Sequence, residues 1–137
     1  MIVIDLTQTE LFKSFAEIGT GDTYVDLHNE FGCCSIKFSQ PESQLSLSFR
    51  ASENNLRKVK LVKLIFKNVA ITSMDFKMDN TREDTLRTID VIYRGRFADA
   101  NNELKEISTE GKCYYYIDFV NDYSIEVFSN SVIAELK

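Results

Sequence analysis

The chain has 137 residues, of which 44% are hydrophobic and 27% charged, and its formal net charge is −5. This length corresponds to one domain, residues 1–137, and the composition excludes a disordered, collagen-like or linker-dominated chain. The acidic balance argues against a general nucleic-acid binder, and no apolar run approaches the roughly 20 residues of a membrane span.

The N-terminal segment predicts a strand followed by a short helix. Residues 1–4 are apolar and fit an edge strand. Thr7 and Glu10 have the spacing of a capping box. The apolar residues that follow recur on one helical face, and they are Leu11, Phe12, Phe15 and Ile18. Because Gly19 and Gly21 would end such a helix, we predict one amphipathic helix over residues 8–18.

After Gly21 the apolar pattern changes to a period of two, which is typical of strands with one buried face. Residues 23–28, 34–39 and 44–49 alternate in this way and predict an antiparallel meander. Its predicted core positions are Val25, Leu27, Cys34, Ile36, Phe38, Leu45, Leu47 and Phe49. Residues 56–76 are also interpreted as strand, since their β-branched content favours strand over the competing helix.

The second half of the chain predicts further strands separated by polar turns. Residues 77–84 read as a loop, residues 86–97 as a strand, residues 98–102 as a turn, and Leu104 and Ile107 begin a short return strand. Three more strands, 113–120, 124–128 and 132–136, follow as consecutive hairpins. The predicted fold class is α+β, mainly antiparallel β, with a curved sheet or two-sheet sandwich and one N-terminal helix.

Charge is unevenly distributed along the chain. Residues 1–49 carry seven acids and two bases, residues 50–98 carry six acids and eleven bases, and residues 99–137 carry eight acids and three bases. An acidic protein therefore has a basic middle. Lysines there could contact phosphates, or they could be the ordinary charges of a solvated strand or edge, or pair with the protein's own acids.

The C-terminal strands carry aromatic and acidic residues in alternation with apolar ones. If Cys113, Tyr115, Ile117 and Phe119 face the core, the opposite face presents Tyr114, Tyr116, Asp118, Glu126 and Phe128 together. Tyrosine rings beside carboxylates are favourable interface chemistry for a basic partner. The alternative is that both faces of these strands are buried.

Few residues are suited to catalysis or metal binding. His28 is the only histidine, and the adjacent Cys33 and Cys34 lack the spacing of a zinc knuckle. We expect no metal, no cofactor and no enzymatic activity, and we interpret Cys34 and Cys113 as small core residues. Three unpaired thiols and the lack of a signal-peptide pattern predict a cytoplasmic protein without a membrane partner.

Residues 86–97 and 103–136 resemble, in strand pattern and general character, the bacterial immunity proteins of contact-dependent growth inhibition and related polymorphic toxin systems. The resemblance implies a small cytoplasmic protein that binds the C-terminal domain of a cognate toxin, often a nuclease with a basic surface. It implies neutralisation by occlusion of the active site or substrate surface. The resemblance transfers no individual binding residue to this chain.

Charge and strand alternation nominate the contact residues, which are Asp22, Asp26, Glu30, Tyr114, Tyr116, Asp118 and Glu126. The alternative hypothesis is a nucleic-acid-binding β domain that uses the basic segment 57–67, with contacts from Arg57, Lys58, Lys60 and Lys63, although nucleic acid is not the expected partner. A third hypothesis is a small enzyme that uses carboxylates or His28.

Overall fold

The computed structural model describes residues 1–53, 55–76, 87–97, 104–120 and 122–137. The predicted loop at 77–84 and the predicted turn at 98–102 lie outside the described residues. The elements are β1 Ile2–Asp5, β2 Glu17–Ile18, a 3-10 turn at Gly21–Thr23, β3 Val25–Asp26, β4 Phe31–Ser39, β5 Gln44–Ala51, β6 Leu61–Lys67, β7 Ala70–Asp75, β8 Ile89–Arg94, β9 Arg96–Phe97, β10 Leu104–Lys105, β11 Ser108–Thr109, β12 Lys112–Phe119, β13 Tyr123–Ser129 and β14 Ser131–Leu136.

These strands form two main antiparallel sheets. The first sheet has the order β1–β14–β6–β5–β4. The second sheet has the order β8–β12–β13–β7, and the short β11 pairs with the beginning of β12. Two small ladders, β2 with β3 and β9 with β10, complete the pairing. The predicted edge strand at the N-terminus is confirmed. Of the predicted meander, the pairing of β4 with β5 is confirmed, but the predicted strand at 23–28 is reduced to the short β3, which pairs with β2 instead of β4.

The two sheets are continuous at one corner, where two paired strands bend from one sheet into the other. β6 continues into β7, and β13 continues into β14. The buried hydroxyl of Ser129 donates to the Lys67 carbonyl at 2.8 Å, and the Asn130 amide donates to the same carbonyl at 3.1 Å. The sheets are also tied between β4 and β8, where Cys33 and Arg87 exchange backbone hydrogen bonds of 2.7 and 3.1 Å.

The core lies between the two sheets, as the period of two requires. The first sheet contributes alternate residues of β5, β6 and β14, among them Phe49, Phe66 and Val132. The second sheet contributes Tyr115 and Ile117 and their neighbours. The rings of Phe66 and Tyr115 meet edge to face with centroids 5.6 Å apart. Ile65 is also buried, but it stands on the outer face of β6 opposite Ser46 and Ile133.

The predicted helix over residues 8–18 is wrong, and with it the α+β class, since the described chain is almost entirely antiparallel β. This segment runs beside β8, and two of its backbone amides donate hydrogen bonds to carbonyl groups of that strand. The Phe12 amide donates to the Arg94 carbonyl at 2.8 Å, and the Phe15 amide donates to the Ile92 carbonyl at 2.7 Å. A positive φ of 62° at Phe12 is incompatible with a continuing helix.

The predicted N-cap residue also has another role. The Thr7 hydroxyl accepts a 3.1 Å hydrogen bond from the Val132 amide and donates to the Val132 carbonyl at 3.4 Å. Thr7 therefore joins the N-terminal segment to β14 instead of starting a helix. Helix propensity is a weak determinant that tertiary contacts override, so the hydrogen bonds to β8 and β14 decide the conformation of this segment.

A bulge and a sheet crossing overturn two further predictions, and a second irregularity changes the alternation in β8. At Cys34 the β4–β5 register shifts, so that Cys33 enters the core and Cys34 is exposed. The predicted core role of Cys34 is therefore wrong. In β8 the register shifts beside Asp90, and Ile89 and Ile92 both face the core. The predicted hairpin between the last two strands is also wrong, because β14 leaves β13 for the first sheet.

Candidate protein-binding face

The candidate functional site lies on the outer face of the second sheet. On β12 the side chains of Tyr115, Ile117 and Phe119 are in the core, so the alternate residues point outward. Register places Tyr114 opposite Phe128, and Tyr116 between Glu126 and Tyr93. We call this set the aromatic–acidic face, and it comprises Tyr93, Tyr114, Tyr116, Asp118, Glu126 and Phe128.

The rings of the aromatic–acidic face pack against one another. Tyr93 and Tyr116 have centroids 5.3 Å apart with planes tilted by 36°. Tyr114 and Phe128 meet edge to face at 5.7 Å, and the guanidinium of Arg96 lies 5.8 Å from the centre of the Tyr114 ring. Tyr114 is buried by these neighbours, whereas the other members are half-buried. The face is therefore a pre-packed aromatic layer that still contacts solvent.

A hydrogen bond and several carboxylates set the electrostatics of this face. The Tyr114 hydroxyl donates to the Glu126 carboxylate. Burial, this hydrogen bond and the charge of Glu126 raise the pKa of Tyr114 well above its ordinary value. Burial, followed by Glu126 and Asp118, also raises the pKa of Tyr93. The phenols therefore remain neutral near pH 7 and can donate hydrogen bonds.

Asp118 lies in a region of concentrated negative charge. Burial and the carboxylates of Asp90 and Asp122 raise the pKa of Asp118, although a hydrogen bond from Tyr116 acts in the opposite direction. A raised carboxyl pKa means that the ionised form is disfavoured in its surroundings. A positively charged group of a partner, placed beside Asp118, would relieve this repulsion.

The other three predicted contact residues do not join the aromatic–acidic face. Asp22 is exposed in the 3-10 turn, Asp26 is in β3, and Glu30 precedes β4, so none lies on a strand of the second sheet. Asp26 is buried, and its carboxylate accepts hydrogen bonds from the His28 and Asn29 amides and from the Asn29 side chain. Burial raises the pKa of Asp26, but these hydrogen bonds outweigh it and lower the pKa overall.

The charge of Glu30 is engaged within the protein. Its carboxylate forms an ion pair of 2.9 Å with Arg57, whose guanidinium also stacks 4.5 Å from the centre of the Tyr24 ring. The Lys60 ammonium donates to the Asn55 carbonyl at 2.6 Å. Two of the four bases of the alternative nucleic-acid hypothesis are therefore held by neighbours. His28, a residue of the enzyme hypothesis, is half-buried and donates through Nδ1 to the Ile89 carbonyl at 2.5 Å.

Sequence reasoning did not nominate Tyr93. Simple alternation places it on the same face as Ile89, which is in the core, and only the irregularity beside Asp90 turns it outward. In the sequence, Tyr93 is an aromatic residue near an acidic one in a predicted strand. That pattern does not show whether the side chain faces the core or the solvent. The pairing of β8 with β12 supplies the missing information.

No family model, curated protein or solved structure matches this chain. The chemistry of the aromatic–acidic face must therefore carry the functional argument. Among the described residues, no helix has the length and apolar character needed to cross a membrane. Within the same ranges, no three His, Cys, Asp or Glu side chains are grouped so as to hold a metal ion.

Proposed function

We propose that this chain is a cytoplasmic immunity protein that binds the C-terminal domain of a cognate bacterial toxin and neutralises it. The observation that carries the proposal is the aromatic–acidic face, where four aromatic rings and two carboxylates share one outer sheet surface. Tyrosine-rich patches are enriched at protein interfaces because their rings bury much area with little loss of side-chain entropy.

The charge of the face favours a basic partner. Asp118 and Glu126 lie among tyrosine hydroxyls, and Asp90 and Asp122 add further negative potential. A toxin that cleaves nucleic acid needs a basic surface for phosphates, and that surface is complementary to such a patch. Complementary charge accelerates association and aligns the partners, while the buried rings supply most of the affinity.

Inhibition in this proposal requires no chemistry from the immunity protein. The face is built on β8, β12 and β13, whose inward residues are fixed by the core, so little order has to be gained on binding. A bound toxin would have its phosphate-binding surface covered by carboxylates and rings. The substrate would then be excluded by direct competition for the same surface.

The test pairs this chain with the C-terminal domain of any large secreted protein encoded directly upstream. We expect a stable complex that survives co-purification, and protection of cells that express the toxin domain. Asp118→Lys should weaken the complex by more than tenfold, because it places a positive charge against a basic surface. Tyr116→Ala should weaken it further by removing a central ring.

A matched control separates the position of a charge from net charge. Glu42→Lys changes the total charge by the same amount as Asp118→Lys, but Glu42 is exposed in the turn between β4 and β5 of the first sheet. This control should bind the toxin domain within twofold of the parent protein. The proposal fails if the upstream domain is not bound, or if Asp118→Lys and Glu42→Lys weaken the complex equally. Asp22→Lys tests separately whether the 3-10 turn contributes.

A further inference from the structure

The outer face of the first sheet carries a second, chemically different surface. This surface is centred on β5, which lies between β4 and β6. The outward residues of β5 are Gln44, Ser46, Ser48 and Arg50, because Leu45, Leu47 and Phe49 occupy the core. Lys37 of β4 stands opposite Ser46, and Lys63 of β6 stands opposite Ser48. The two lysines therefore flank one strand from its two sides.

These two lysines border the same depression. A cavity of about 160 Å³ is lined by Lys37, Ser39, Glu42, Gln44, Ser46 and Lys63. The ammonium group of neither lysine has a hydrogen bond or ion pair with any residue that the structure describes. By contrast, the nearby bases Arg57 and Lys60 are both held by protein groups. Two ammonium groups that no described residue engages, beside hydroxyl and amide donors, create a favourable place for an anion.

A second depression adjoins the first and shares Lys63. It also measures about 160 Å³, and Cys34 and Leu61 line it together with Lys63, Glu135 and Lys137. The bulge at Cys34 helps to shape it, because the thiol is turned outward and donates to the Ser48 carbonyl at 3.4 Å. Leu61 is 48% exposed at the beginning of β6. The neighbouring depression is therefore more apolar than the first, with Lys63 at the boundary between them.

We propose that this pair of depressions binds a small organic phosphate. The phosphoryl group lies between the ammonium groups of Lys37 and Lys63 and accepts hydrogen bonds from Ser39, Ser46 and Gln44. The apolar part of the ligand lies against Leu61 and Cys34. This site is independent of the aromatic–acidic face and of the proposed immunity function, since it lies on the other sheet.

The composition of the surface favours a small ligand over a nucleic-acid strand. Single strands are bound by aromatic rings on which successive bases stack. Here Phe49 and Phe66 of β5 and β6 are in the core, so the central strands offer no ring to a base. Glu42 at the rim would repel a continuous phosphate backbone but leaves room for one phosphoryl group.

Phenyl phosphate is the probe, and inorganic phosphate and phenol are the comparison ligands because they represent its two halves. Each is titrated into the protein at constant ionic strength, and binding is followed by ¹H–¹⁵N NMR. We expect shifts at Lys37, Ser46 and Lys63, and binding of phenyl phosphate at least threefold tighter than inorganic phosphate. Lys37→Gln and Lys63→Gln should each weaken binding at least fivefold. Glu42→Gln should tighten binding, because it removes the one negative charge in the polar depression.

Two control variants distinguish a specific phosphate site from diffuse electrostatic attraction to the basic residues of this face. Lys67→Gln removes a base from the same outer face outside both depressions, and it should leave the affinity within twofold. Leu61→Ser should abolish the advantage of phenyl phosphate without changing the affinity for inorganic phosphate. Equal losses for Lys63→Gln and Lys67→Gln would overturn the proposal in favour of diffuse attraction. Much tighter binding of a single-stranded oligonucleotide, also weakened by Lys67→Gln, would overturn it in favour of a nucleic-acid surface.

Discussion

The two sheets share one core, but their outer faces have opposite chemistry. The outer face of the second sheet presents packed rings and carboxylates, whereas that of the first sheet presents serines and lysines around β5. The rings of the second sheet are stabilised by contacts with one another and remain only partly covered. The first face is polar around β5, although the outward Ile65 of β6 is buried. A shared fold therefore leaves the two surfaces free to serve different ligands.

The contrast accounts for part of the uneven charge along the chain. The basic stretch contributes Lys63 and Lys67 to the first sheet, while the acidic C-terminal third contributes Asp118 and Glu126 to the second. Because the sheets pack through their inner faces, these four charges lie on opposite outer surfaces, although Arg96 of the basic stretch lies beside Tyr114 of the aromatic–acidic face. Net charge alone gives a poor description of this molecule, since a partner meets one face at a time.

The largest expected effect separates the inner and outer sides of one strand. Tyr115→Ala should lower the free energy of unfolding by about 3–5 kcal/mol, because the ring is fully buried against Phe15 and Phe66. Tyr116→Ala should lower it by about 1 kcal/mol, since its ring is half-buried on the outer face. Urea unfolding measures both values. Equal losses would mean that the outer face is as tightly packed as the core.

The strands could be predicted from the sequence where apolar and polar side chains alternate. The structure could not be predicted where hydrogen bonds to a distant strand determine the backbone conformation. Strands β5, β12 and β13 follow the period of two, because one face of each meets the core, whereas the bulge at Cys34 interrupts the period in β4. The segment at 8–18 has helical spacing, but its hydrogen bonds go to β8, which is distant in sequence. Local pattern carries no information about such a partner.

The candidate site divides in the same way. Alternation along β12 and β13 correctly brings Tyr114, Tyr116, Asp118 and Glu126 to one surface. Tyr93 was missed because an irregularity in β8 reverses its direction. The ion pair of Glu30 with Arg57 joins residues far apart in sequence and could not be predicted from the charge pattern.

The next effect concerns alkaline pH and contrasts two neighbouring cysteines. Burial raises the pKa of Cys33 from 9.0 to about 12, and burial raises that of Tyr115 from 10.0 to about 12. Above pH 9 the unfolded thiol loses its proton while the folded thiol keeps it. The free energy of unfolding should therefore fall from about pH 9 upward, by up to about 1.4 kcal/mol per pH unit and group, and the tyrosines with raised pKa values extend the fall above pH 10.

Variants at the β4 bulge test whether the loss of stability at alkaline pH comes from the thiol that faces the core. Cys33→Ala should delay the decline to above pH 10, where Tyr115 continues it, whereas Cys34→Ala should retain the parent pH profile because Cys34 is exposed. Urea unfolding between pH 8 and 11 gives the slopes. An altered slope in Cys34→Ala, with an unchanged slope in Cys33→Ala, would contradict the assignment of inward and outward thiols.

A smaller effect is expected at two glycines with positive φ. Gly95, with φ of 109°, supports the ring of Phe12 at the end of β8, and a methyl group there would collide with that ring. Gly95→Ala should lower the free energy of unfolding by about 1–3 kcal/mol through strain and overpacking. Gly111, with φ of 76° in the β11–β12 turn, has open space around it, so Gly111→Ala should lower it by about 1 kcal/mol. Thermal unfolding that ranks Gly111→Ala as the more damaging change would contradict the Phe12 contact.

The smallest effect tests whether the first outer face is solvated. Ser48 lies between Ser35 and Lys63 on this face, and its side chain has no hydrogen bond to any described residue. Ser48→Thr adds a β-branched methyl group at a half-exposed strand position, so it should raise the free energy of unfolding by about 0.3 kcal/mol. A loss above about 1 kcal/mol in urea unfolding would mean that the face is packed against other groups. The solvated character of the first outer face, and with it the contrast between the two surfaces, would then be lost.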